Sequence, residues 1–188
     1  MPSPIGHLIA GAAIGRAITP RKRPVIVACA ILAAAPDLDL ILPEAHRTGT
    51  HSFVAVALVT IVAIAVTGKV RRSGDRPGDR PGDRPGDRPG DRLRVCPQGT
   101  SSIVVALVLA FASHLLLDWL AVDPTPPHGI QLLWPFSSDW YISGLDIFRG
   151  TARRNLFTAR TTWINATAIA QELAILGPIA WVAWRFRR

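Results

Sequence analysis

The chain has 188 residues, of which 49% are hydrophobic, yet its formal net charge is +8. That combination requires apolar and charged residues to be segregated along the sequence, which points away from a soluble globular pattern and towards membrane spans. The only cysteines, Cys29 in an apolar run and Cys96 in a polar stretch, exclude a disulfide framework or a CxxC metal site.

Apolar runs at residues 24–43, 53–67, 101–122 and 164–184 approach or reach the ~20 residues that cross a hydrocarbon core of about 30 Å. Basic residues gather beside them: Arg21, Lys22, Arg23, Lys69, Arg71, Arg72, Arg185, Arg187 and Arg188. Such flanking charge sets orientation in membrane proteins, so no nucleic-acid partner is expected despite the high charge. Arg21 to Arg23, the following apolar stretch and Ala33-Ala34-Ala35 mimic a cleaved signal peptide. Pro36 after the cut and the internal place of the basic cluster argue against one.

In chain order, residues 5–18 predict a short, Gly-rich first helix, bracketed by Pro2, Pro4 and Thr19-Pro20. A second helix is expected over 24–42, weakened at its far end by Pro36. A loop at 43–50 leads to a third helix over 51–70. Residues 74–92 then repeat Gly-Asp-Arg-Pro four times and end in Gly-Asp-Arg. Proline every fourth residue forbids a helix and no apolar residue is available for a core, so residues 73–94 read as a disordered, solvated linker. A fourth helix follows over 101–122. After it comes a Pro- and Trp-rich segment, 123–163, whose Trp134, Trp140, Tyr141 and Trp163 suit a membrane–water interface. A fifth helix spans 164–184. The expectation is an all-α, polytopic membrane bundle of about five helices, a single domain over residues 1–188.

Alternating spans bring particular helix ends together. The start of helix 1 shares a face with the end of helix 2, the start of helix 3 and the end of helix 4. His7 begins helix 1; Asp37 and Asp39 end helix 2; His46 and His51 lie in the next loop and the start of helix 3; His114 and Asp118 lie towards the end of helix 4. All seven fall on one face, which random placement rarely produces. Imidazoles and carboxylates near a membrane are costly to desolvate unless paired or metal-bound. His114 and Asp118, at i and i+4, share a helical face and can reach one ion. Imidazole and carboxylate ligands without thiolate suit a divalent zinc, manganese, nickel or iron ion better than calcium or magnesium. Seven candidates exceed one tetrahedral shell, leaving either two ions or one ion with outer supporting groups. Duller readings stand beside these: His7 and His46 as interface residues, Asp37 as a turn cap, Asp118 in an ion pair with Arg47. His128, among Pro126, Pro127 and Gly129, reads as a loop residue. Asp139, Asp146 and Glu172 have no spacing partner and read as solvated or structural.

Gly6-His7-Leu8, Pro36-Asp37-Leu38-Asp39, His46-Arg47-Thr48-Gly49-Thr50-His51-Ser52, Ser113-His114-Leu115-Leu116-Leu117-Asp118 and Gly129-Ile130-Gln131-Leu132-Leu133-Trp134-Pro135 occur in that order. In these segments the chain resembles the bacterial inner-membrane-associated metal-dependent hydrolases, also described as LexA-binding, over roughly residues 3–136 outside the repeat. The resemblance implies a membrane-bound hydrolase with metal ligands at His7, Asp37, Asp39, His46, His51, His114 and Asp118, and it leaves open the binding of a soluble regulator. A metal-activated water would attack a phosphoryl or acyl centre, Asp37 or Asp39 taking its proton and Arg47 holding a phosphate. Zinc is the first choice of ion, and membrane lipids or a lipid-linked phosphoester are the expected partners.

The face opposite the cluster carries Arg21 to Arg23, Lys69 to Arg72, Arg94 and Arg185 to Arg188, whereas the cluster's face carries Arg47, Arg149, Arg153, Arg154 and Arg160. The positive-inside tendency puts the linker and C-terminus in the cytoplasm. A metal transporter is the main rival, but polar residues on one half only fit surface-facing chemistry better. A membrane adaptor that binds a soluble regulator through the basic linker is the other.

Overall fold

The computed structural model describes residues 2–41, 47–74, 99–124, 126–152, 155 and 157–186. Among them the chain forms five α-helices: α1 (Pro4–Ile18), α2 (Arg23–Ala34), α3 (Phe53–Gly74), α4 (Thr100–Trp119) and α5 (Ala159–Phe186). Two short 3-10 segments, Ala35–Ile41 and Gly49–His51, complete the regular structure, and the only extended pairing described is two isolated bridges. The all-helical expectation holds. The repeat-rich linker falls almost wholly outside the described residues, as does His46.

Local chemistry explains the helix bounds. Ser3 caps α1, its hydroxyl accepting the Gly6 N–H at 3.3 Å, and Pro4 occupies the first turn, where an N–H is dispensable. At the far end the Thr19 N–H and hydroxyl both donate to the Gly15 carbonyl at 2.8 Å. Pro36 denies α2 a further donor, so the α-helix ends at Ala34 and continues as the 3-10 segment that carries Asp37 and Asp39. Ser52, whose hydroxyl accepts the Ala55 N–H at 3.3 Å, starts α3 after His51 rather than with it.

Helix α1 packs on α2, α4 and α5, while α4 also packs on α2 and α3. The α1–α2 contact is backbone-close. A Cβ at Gly11 would sit 2.4 Å from the Cys29 carbonyl oxygen and 2.6 Å from the Ala33 Cβ, and one at Gly15 2.9 Å from the Ile26 Cα. This Gly-x-x-x-Gly face, buried with Cys29, Ala33, Ala106 and Ala110, is the small-residue packing by which helices associate in lipid.

Helices α4 and α5 are long and apolar enough to cross a membrane. Helix α2 is shorter than its apolar run suggested, because the 3-10 segment takes over after Ala34, whereas α1 is as short as expected. Helix α1 has 15 residues and α2 has 12, or about 22 Å and 18 Å at 1.5 Å per residue, so neither crosses a 30 Å core unaided. Leu58, Ile61, Val62, Ile64 and Val66 of α3 are each more than half exposed, as are Ile179 and Trp181 of α5. Lipid is the solvent such faces require.

Helix α5, with 28 residues, is about 42 Å long and overhangs the bundle. Its midpoint meets the start of α1, where Glu172 accepts the Ser3 N–H at 2.7 Å. The half that precedes Glu172 carries the segment after α4 as a cap. Asn165 exchanges hydrogen bonds with the Ala152 backbone at 2.7 and 3.0 Å, and Gln171 bonds to the Arg149 N–H and the Ile147 carbonyl. The cap is stitched internally by Ile130 and Tyr141, which exchange backbone bonds at 2.9 and 3.0 Å. Gly129 is required there: its φ is +97°, and a Cβ would lie 2.2 Å from the Tyr141 carbonyl oxygen.

Candidate metal centre

Beneath the cap, the helix ends named by the sequence meet. His7, His51 and His114 are fully buried and Asp118 is 1% exposed. Asp118 is the pivot. Its Oδ1 lies 3.5 Å from His7 Nε2, and its Oδ2 lies 3.3 Å from His51 Nε2 and 3.2 Å from His114 Nε2. None of these contacts has hydrogen-bond geometry, and both Asp118 oxygens lack a hydrogen-bond partner. Asp37, in the 3-10 segment after α2, brings Oδ2 to 4.0 Å from His7 Nε2. The rings of His7 and His114 stack with centroids 3.8 Å apart.

The outer nitrogens decide which way the lone pairs face. His114 Nδ1 lies 2.8 Å from the Ala33 carbonyl, which can only accept, so the proton is on Nδ1 and the Nε2 lone pair faces inward. His51 Nδ1 lies 3.3 Å from Asp39 Oδ2 and 3.0 Å from the Thr50 hydroxyl, and Asp39 likewise draws the proton outward. The two Nε2 atoms face each other at 3.0 Å. Two imidazole lone pairs and a carboxylate oxygen at such separations repel unless a cation or a proton stands among them. Burial alone lowers the basicity of His51, but the Asp118 and Asp39 carboxylates outweigh it and push its pKa up to about 9. Two overlapping donor sets, His7–His114–Asp118 and Asp37–His51–His114, each hold their ligand atoms within 4.8 Å of one another. The residues fit a divalent cation.

Asp39 has other employment. It accepts the Arg47 N–H at 3.2 Å and the Thr50 hydroxyl while backing His51, the place an outer carboxylate takes to orient an imidazole that could hold a metal. Arg47 sits at φ 67°, a left-handed conformation held from both sides: its N–H goes to Asp39, and its carbonyl accepts the Gln131 N–H at 3.1 Å. Its guanidinium pairs with Asp123 and lies 5.6 Å over the Trp140 ring. The alternative in which Arg47 neutralises Asp118 therefore fails, because Asp123 takes that guanidinium and Asp118 turns to the imidazoles. Ser52 is buried, bonded to the Gly49 carbonyl at 2.7 Å and spent on starting α3, so it is no nucleophile.

The family model described as YdjM inner membrane protein matches residues 1–187. The chain belongs to the YdjM inner membrane protein family. Searches of curated proteins and of solved structures gave no match. As a YdjM-family protein it resides in the inner membrane, in keeping with the spans α4 and α5.

Of the seven expected ligands in this YdjM-family chain, five bring a donor atom to the pocket, Asp39 stands behind His51, and His46 lies outside the described residues. His128 is exposed, its Nδ1 2.7 Å from the Asp123 carbonyl, as a loop residue should be. Sequence reasoning passed over Asp123, which binds Arg47 and the Gly129 N–H, because it stands at an unremarkable helix exit. It read Glu172 as solvated or structural without a partner; Glu172 is fully buried and takes both donors of Ser3. A lone acid in an apolar helix was the available signal.

Proposed function

We propose that this protein is a membrane-embedded hydrolase dependent on a divalent cation, zinc foremost, acting on a phosphoester of a lipid or lipid-linked substrate. One observation carries the reading: His51 and His114 aim inward-facing Nε2 atoms at each other across 3.0 Å, with Asp118 Oδ2 within 3.3 Å of both. His7, His51, His114 and Asp118 would hold the ion, Asp37 standing beside them. A bound cation would supply the Lewis acidity that acidifies a water and polarises a phosphoryl oxygen. Asp37 is assigned the water's proton, since Asp39 is occupied by Thr50, Arg47 and His51. Arg47 shares its fork of donors between Asp123 and an incoming phosphate oxygen, its Nε having no hydrogen-bond partner in the protein. The lipid reading rests on placement, for the cluster lies at helix ends in a protein whose outer faces meet lipid.

Elemental analysis of purified protein should find a stoichiometric divalent metal that is lost in His51→Ala. The loaded protein should cleave a member of a phospholipid panel, with the variant inactive. A folded wild type without metal removes the site; metal without cleavage across the panel removes the lipid substrate.

The same reading places the pocket on the outer side of the inner membrane, with the C-terminal end of α5 in the cytoplasm. In a background free of native cysteines, a cysteine at Ser137 should react with an impermeant maleimide on intact spheroplasts, and one at Ser73 only after permeabilisation. The reverse pattern inverts the topology.

A further inference from the structure

Glu172 is the only acidic residue in α5 and is fully buried near the middle of that helix. Desolvating a carboxylate there is expensive, so its partners matter. Both belong to Ser3: the backbone N–H donates to Oε1 at 2.7 Å and the hydroxyl donates to Oε2. Gly6 leaves room for the carboxylate, since a Cβ at that position would lie 2.6 Å from Oε2. The Ser3 carbonyl in turn accepts the His7 N–H at 3.4 Å. A single chain of contacts thus runs from the middle of α5 through the cap of α1 to a residue of the pocket.

His7 differs from its neighbours in how it is held. His114 is oriented by the Ala33 carbonyl and His51 by Asp39 and Thr50, but neither ring nitrogen of His7 makes a hydrogen bond. Its imidazole is placed by the backbone of α1, by stacking on His114 and by the carboxylates of Asp118 and Asp37, 3.5 and 4.0 Å from Nε2 without a hydrogen bond. We infer that Glu172 is a positioning residue: by gripping Ser3 it sets the depth and rotation of the first turn of α1 and so holds the His7 imidazole on the pocket. The inference rests on the reading of that pocket as a cation site.

The test is a double-mutant cycle on the purified full chain, with Co2+ as the probe and its visible absorption as the reporter of imidazole coordination. Glu172→Ala should weaken Co2+ binding by about 10- to 100-fold, the range for outer residues that orient metal ligands, and should change the band intensities. Glu172→Gln, which keeps an oxygen for the Ser3 N–H, should recover most of the loss. In a His7→Ala background, Glu172→Ala should cost less than about twofold, because the ligand it positions is gone. Ser3→Ala, a milder lesion of the same grip, should show the same dependence on His7 and serves if Glu172→Ala does not fold. Equal losses with and without His7, or no loss at all, overturn the inference while leaving the cation site standing. A folded wild type that takes up no Co2+ overturns the cation site and the inference with it.

Discussion

Asp118→Asn is expected to lower divalent-cation affinity by at least about 100-fold, or about 2.7 kcal/mol, and to abolish turnover. Asp118 reaches all three described imidazoles of the pocket, between 3.2 and 3.5 Å from each Nε2, so no neighbour replaces it. Asparagine matches its shape but removes the negative charge and presents an N–H2 that repels a cation. Metal content and Co2+ titration check this, with the helical signal expected to persist. Retained affinity in a folded Asp118→Asn protein would show that the carboxylate is not a ligand.

Gly11→Ala should be strongly destabilising, because one added methyl closes the seam between α1 and α2. The added Cβ would lie 2.4 Å from a backbone oxygen and 2.6 Å from the Ala33 Cβ, neither of which is the far end of a flexible side chain. Helices α1 and α2 must separate, at a cost of about 3 kcal/mol, the upper part of the overpacking range. The effect should not stop at stability. Ala33 also supplies the carbonyl that orients His114, so displacing α2 there shifts an acceptor 2.8 Å from the imidazole. Thermal unfolding in detergent should fall, and Co2+ affinity with it. Gly68→Ala, where an added Cβ meets nothing within 4 Å, is the control and should leave both unchanged.

Much of the pocket was legible in the sequence because membrane topology is a strong constraint. Once the spans alternate, His7, Asp37, His51, His114 and Asp118 have one face on which to gather, and the i,i+4 pair of His114 and Asp118 gives the local geometry. Less legible was the division of labour between Asp37 and Asp39, which a Pro-broken helix end sends to different partners: His7 for one, His51, Thr50 and Arg47 for the other. The length of α2 was overread for the same physical reason. An apolar run does not reveal that Pro36 converts its last third into a 3-10 segment, or that α1 starts at the midpoint of a longer helix. The Gly11–Gly15 seam was visible as a spacing, but its partner face on α2 is a tertiary fact. Glu172 illustrates the limit: with no neighbour in sequence to explain it, its purpose emerges only when Ser3 arrives from the other end of the chain.

Helices α3 and α4 bring their chemistry to one end each, His51 just before Phe53 and Asp118 just before Trp119, so their other ends, Gly74 and Thr100, stand one helix length away. With 22 and 20 residues that separation is roughly 30 Å. The junction between those far ends is therefore a natural splice point. A fluorescent reporter or an affinity handle inserted there would travel with the protein while the end that holds the His and Asp cluster keeps its shape.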